Sequence, residues 1–77
     1  MILSTVDNHG RRSLIIKQVE TPSQDWIALQ QIKPRTSGRW YCCYPLEGGA
    51  VIINTDDMVG VRPATGHEVE MAFANAN

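Results

Sequence analysis

Cysteine is nearly missing from this chain: there are two, Cys42 and Cys43, and they are neighbours. Successive side chains on a strand point to opposite faces, so the pair fits poorly as a mutual disulfide. Two adjacent thiols also lack the spacing of a closed zinc site. Neither a disulfide framework nor a structural metal is therefore expected to support the fold, and two thiols without a framework favour a reducing compartment, the cytoplasm. Long apolar runs are missing as well. Nothing approaches the ~20 apolar residues of a membrane span. The opening MILSTVDNHGRR has neither a basic n-region nor an apolar h-region, so it does not read as a signal peptide.

Catalytic patterns are equally scarce. The GxxxxGK[ST] phosphate loop is absent, and Gly48-Gly49 precedes no helix that would offer a free N-terminus. His9 falls in a turn between Asn8 and Gly10, and His67 stands beside Glu68 in the tail. Neither has a spacing to Cys42 or Cys43 that suggests a nucleophile with an aligned base. Asp56-Asp57 lacks the ligand spacing of a calcium loop and reads as a turn whose side chains cap backbone N–H groups. Glu20, Glu47, Glu68 and Glu70 form no recognisable acid–base pair. The expectation is a protein that is not an enzyme and carries no cofactor and no metal.

What the chain does have is 77 residues, enough for one domain with a small core. A chain this short is marginally stable unless disulfides, metal or oligomerisation supplement it, and only the last remains, so a homo-oligomer is a reasonable expectation. The hydrophobic fraction of 43% is that of a globular domain rather than a disordered one. Net charge is −1, which argues against strong nonspecific attraction to nucleic acid. The charge is unevenly placed. Arg11, Arg12, Lys17, Lys33, Arg35 and Arg39 outweigh Asp7, Glu20 and Asp25 in the first 44 residues, whereas Arg62 faces five carboxylates in the rest.

The pattern of short apolar runs predicts strands. Met1 to Val6 and Ser13 to Val19 flank the turn signal Asn8-His9-Gly10 and suggest a hairpin. Arg39 to Tyr44 is an aromatic strand, with Trp40, Cys42 and Tyr44 on one face and Tyr41 and Cys43 on the other. Pro45 to Gly49 turns the chain, and Gly48-Gly49 supplies the positive φ such a turn wants. Ala50 to Asn54, apolar on both faces, reads as a central strand. Thr55-Asp56-Asp57 suggests one turn of 3₁₀ helix, and Met58 to Arg62 a last short strand. Glu68 to Phe73 could add an edge strand, and residues 74–77 are expected to fray. Trp26 to Ile32 has two readings. A helix capped at Thr21, with Pro22 at its first position and Gln24 at its third, competes with a strand, and the strand is favoured because every neighbour is one. The expected fold is all-β: a five- to six-stranded antiparallel barrel or strongly bent sheet, of the SH3-like or Sm-like size class, with one short helix near 22–32 as the alternative. That likeness is one of architecture and carries no function.

One constellation has chemical content: Lys33, Arg35, Arg39, Trp40, Tyr41 and Tyr44. Tyrosine, tryptophan and arginine dominate protein interfaces. The same residues suit single-stranded nucleic acid, whose bases stack on rings while cations follow the phosphates. In so small a protein a tryptophan also tends to be core. The mixed-sign surface and slight negative charge favour a protein partner over nucleic acid. The expected contacts are Arg35, Arg39, Tyr41 and whichever of Trp26 or Trp40 is exposed. The reading is a non-enzymatic protein-binding module, self-associating, that serves as an adaptor, subunit or inhibitor. Small chains without catalytic signatures often do so, including those carried by phages and plasmids. An RNA or single-stranded nucleic-acid binder is the alternative, and a cysteine-dependent enzyme a distant third. No membrane partner is expected.

Overall fold

The computed structural model describes residues 1–33 and 37–76. Five antiparallel strands form one sheet: β1 (Leu3–Val6), β2 (Arg12–Val19), β3 (Trp40–Pro45), β4 (Val51–Asn54) and β5 (Val59–Pro63). Two α-helices, α1 (Gln24–Leu29) and α2 (Gly66–Ala74), and a 3₁₀ turn at Thr55–Asp57 complete it. The strand order is β4-β3-β2-β1-β5, so the sheet is bent but not closed, and β4 and β5 are its two edges.

The β1–β2 turn is built around Asp7. Its backbone N–H donates to the Arg11 carbonyl at 2.8 Å, and its carboxylate accepts from the His9 and Arg11 N–H groups at 2.9 Å each. Gly10 takes φ +77°, which closes the turn at no steric cost. In β2 the register passes from Ile15 opposite Cys43 to Lys17 opposite Cys42, so Ile16 is an extra residue. Such a bulge bends a strand and raises its twist. β3 and β4 are joined by the expected glycine turn, with Gly48 at φ +84°. Asn54 then caps the 3₁₀ turn by accepting from the Asp56 N–H at 2.8 Å, as the Thr55-Asp56-Asp57 signal predicts. β5 does not continue the meander. It crosses to the far side and pairs with β1.

Four expectations are corrected. Residues Trp26 to Ile32 do not form a strand; the helix reading was right in kind but is capped by Ser23, not Thr21. The Ser23 hydroxyl accepts from the Trp26 N–H at 3.1 Å. Its far end closes with the Gln31 N–H donating to the Ala28 carbonyl and the Ile32 N–H to the Ile27 carbonyl, a Schellman motif. The sixth strand at Glu68 to Phe73 is α2 instead. Thr65 and Glu68 make a complete capping box: the Thr65 hydroxyl accepts from the Glu68 N–H and the Glu68 carboxylate from the Thr65 N–H. β4 is an edge strand, not a central one, because β5 joins the sheet beside β1. The chain is therefore mostly rather than wholly β, and of the two sheet forms expected, the strongly bent open sheet fits while the closed barrel does not form.

The core is small. Leu14, Cys43, Ala72, Trp40, Ile53 and Ile27 are its buried apolar side chains, together with buried Thr5 and Ser13. α2 packs over β2 and β3, where the Phe73 ring stands edge-on to Tyr44 with centroids 5.3 Å apart. A charged clasp fixes it there. Arg62 on β5 grips Glu68 at 2.7 and 2.9 Å, and Arg12 on β2 approaches the same carboxylate at 3.6 Å.

Candidate functional site: a groove along the open edge of strand β4

A groove of about 480 Å³ runs between the end of α1, the β1–β2 turn and β4. α1 contributes Trp26, Gln30 and Gln31, followed by Ile32 and Lys33. The turn contributes Asp7 to His9 and Arg11, and the sheet contributes Trp40 and every residue from Ala50 to Asn54. That unbroken run has a geometric meaning. Side chains on a strand alternate between faces, so a depression on one face touches every second residue. A groove touching consecutive residues follows the strand's edge. Among the described residues β4 pairs only with β3, so alternate backbone N–H and C=O groups on its other side have no strand partner there.

Of the six residues singled out from the sequence five are described, and of these only Lys33 and Trp40 meet at the groove. Lys33 is exposed on the groove and forms no ion pair among the described residues. Trp40 lines the groove but is only 4% exposed, so it acts as packing beneath the surface. Arg39 is exposed at the start of β3, where its N–H donates to the Thr55 hydroxyl and its carbonyl accepts from the Thr55 N–H. Tyr41 and Tyr44 are half-buried and lie outside the groove, Tyr44 against Phe73. Arg35 falls outside the described residues. Of the two tryptophans, Trp26 is the more exposed and supplies the aromatic wall. Sequence reasoning missed the β4 edge and Gln31. The undefended run Val51-Ile52-Ile53 was visible, but only the strand order shows that it is an edge.

The groove's charges are unequal in availability. Asp7 is 5% exposed and already holds the Arg11 guanidinium at 3.2 Å besides its two backbone donors. Asp57 is half-buried and has a partner of its own. Lys33 and the outer part of Arg11, whose side chain is 55% exposed, are what the rim presents to solvent. Compared with known proteins, the chain matches no family, no curated protein and no solved structure. Its chemistry must be read from the groove itself.

Cys43 offers little to a reactive site. Cys43 is fully buried, and burial, followed by the charges of Cys42 and Asp7, pushes its thiol up to about 12. It stays protonated at neutral pH, and the thiolate is the reactive form. Among the described residues no three His, Cys, Asp or Glu side chains are placed to hold a metal ion, and no helix is long and apolar enough to cross a membrane.

Proposed function

We propose that the protein is a non-enzymatic binding module that holds part of a larger protein partner, as an adaptor, subunit or inhibitor, in the cytoplasm. The observation that carries this reading is the groove: a concavity of about 480 Å³ that pairs a tryptophan wall with an open strand edge. Partly exposed aromatic anchors beside cationic side chains are what protein interfaces use for affinity. Five short strands put the fold in the SH3-like or Sm-like size class by strand count alone, and that analogy contributes nothing to the reading.

The nucleic-acid alternative has thinner support. It requires rings open to stacking bases beside the cations, whereas Trp40 is buried and Tyr44 packs on Phe73. Self-association has a different surface available, the exposed Val59, Val61 and Leu3 at the opposite edge.

Affinity capture from host lysate with and without nuclease, repeated with Trp26→Ala, tests the reading. A stoichiometric protein partner that survives nuclease and is lost from the variant is expected. Recovery that collapses with nuclease overturns it in favour of nucleic acid. A partner retained by Trp26→Ala moves the binding surface away from the groove.

A further inference from the structure

We infer that the groove takes an extended, acidic segment of the partner, added to the sheet as a new strand on the open edge of β4, with Lys33 pairing to one of its carboxylates. This rests on the binding-module reading above and specifies its ligand.

Three observations converge on that occupant. First, the continuous run from Ala50 to Asn54 makes β4 a wall along its length, and the side that no described strand pairs with offers backbone groups to a strand laid beside it. Nothing in Val51-Ile52-Ile53-Asn54 prevents such pairing, for it contains no proline, glycine or charge. Second, the shape selects a single segment over a folded domain. The end of α1 and the Asp7 to Arg11 turn share the groove with β4. Walls beside β4 suit a lone extended chain, about 13 Å long over four residues, better than a strand carried inside a second folded sheet.

Third, the available charge is positive. Asp7 is held by Arg11 and two backbone N–H groups, and Asp57 has its own partner, while Lys33 has none among the described residues. A carboxylate on the incoming segment neutralises Lys33, whereas a lysine or arginine there meets like charge. Backbone pairing supplies affinity in this mode, and alternate side chains supply specificity, one of them against Trp26.

The test uses the whole protein and an array of random heptapeptides. The best-bound peptides are resynthesised with an N-methyl group at each backbone amide in turn. The inference expects them to be rich in Asp, Glu and β-branched residues. It expects methylation at every second amide to weaken binding at least tenfold, with the intervening positions unaffected. Lys33→Glu, at an exposed position that leaves the fold intact, should weaken the acidic peptides about tenfold and reverse the salt dependence of their binding, which Lys33→Gln should only abolish. Peptides that tolerate methylation everywhere overturn strand addition, and a basic selection overturns the role of Lys33. If no peptide binds while the captured partner still depends on Trp26, strand addition fails and the binding-module reading stands. If neither binds, both fail.

Discussion

At one edge of the sheet β4 runs Val51-Ile52-Ile53-Asn54 with no proline, glycine or charge; at the other β5 runs Val59-Gly60-Val61-Arg62-Pro63 and has all three. Exposed strand edges invite unwanted pairing, and proteins blunt them with prolines, bulges and charges. β5 uses each. Gly60 at φ +63° lies where β5 slips register against β1, an extra residue that interrupts the ladder. Pro63 has no N–H to offer, and the Ala64 N–H reaching the Ile2 carbonyl at 2.9 Å shows that the missing donor would have faced away from β1. Among the described residues β4 is protected by its recessed place beside α1 and the β1–β2 turn. One edge is closed by its own sequence and the other by its surroundings, and only the second kind of protection leaves a strand that a narrow ligand can still reach.

The largest test of this contrast is a pair of glycine substitutions. Gly38 stands at φ +80° beside the end of β4, and a Cβ there would collide with Asn54 Oδ1 and meet Thr55 Oγ1 at 2.9 Å. Those atoms cap the 3₁₀ turn and receive the Arg39 N–H. Gly60 has a positive φ but open space around it. Gly38→Ala therefore adds crowding to backbone strain and should cost about 2–4 kcal/mol, against about 1–2 kcal/mol for Gly60→Ala. Urea unfolding of the two variants measures the difference. Equal losses would mean that the end of β4 is no more rigidly built than the bulge on β5.

Acid should separate the edges next, because they are tied down by different chemistry. At the β4 end neutral hydrogen bonds among Ser37, Asn54, Thr55 and Arg39 predominate, and the carboxylate of Asp56 adds an exposed, longer contact with the Ser37 hydroxyl at 3.3 Å. The β5 side is held through the carboxylate of Glu68. Its hydrogen bonds with the Arg62 guanidinium, and then with the Thr65 N–H, keep it down at about 2 against an ordinary 4.5. A group whose pKa is depressed by folding stabilises the fold above its unfolded value and ceases to do so once protonated. The contribution of Glu68 is thus complete above pH 4.5 and is lost as pH falls toward 2. NMR shifts of α2 and β5 amides should move across that range before those of β3 and β4, and Glu68→Gln should abolish the early movement. Simultaneous loss of both ends would show that the clasp is not a separate unit.

How much of this was legible beforehand depended on the range of the interaction. The β1–β2 hairpin, the Gly48-Gly49 turn and the 3₁₀ turn are local, and their residues announce them. The Thr65-x-x-Glu68 capping box is equally local, and with the helical spacing of Val69, Ala72 and Phe73 it marks a helix in place of the edge strand expected from the sequence. Trp26 to Ile32 was ambiguous for a different reason: too short to show a helical period, it depends on Ser23 and on the Gln31 turn. The order of strands was not local at all. That β5 joins β1 follows from packing and from the Arg62–Glu68–Arg12 clasp, whose members lie 50 or more positions from Arg12 in the chain. With that order unknown, β4 looked central and its edge, and so the groove, was invisible.

A smaller effect is expected at Gln31. Lying on the groove, it is the one non-glycine residue with positive φ among those described, at 58°, in the position of the α1 C-terminus that glycine usually takes. Left-handed backbone costs an ordinary residue roughly 1–2 kcal/mol, part of which glycine returns through its freer unfolded chain. Gln31→Gly should therefore stabilise the protein by about 1 kcal/mol in urea unfolding while weakening peptide binding at β4, since the side-chain amide leaves the wall. Strain retained where it touches a ligand is a functional signature. Gain in stability with unchanged binding would reduce Gln31 to an imperfect helix cap.

The smallest effect belongs to the guarded edge. Val61 is 51% exposed and Val59 63%, and the only charge on their strand, Arg62, is committed to Glu68. Val61→Lys removes little buried surface and places a charge in water, so stability should stay within about 0.5 kcal/mol of the parent. Peptide binding at β4 should not change. If the protein self-associates through the exposed valines, sedimentation will show the variant as a monomer at concentrations where the parent is not. A variant that loses peptide binding would join the two edges into one surface, and the contrast drawn between them would be wrong. A variant that keeps binding but loses assembly would show that this small sheet uses its edges for separate tasks, the recessed strand for a partner and the blunted one for its own copies.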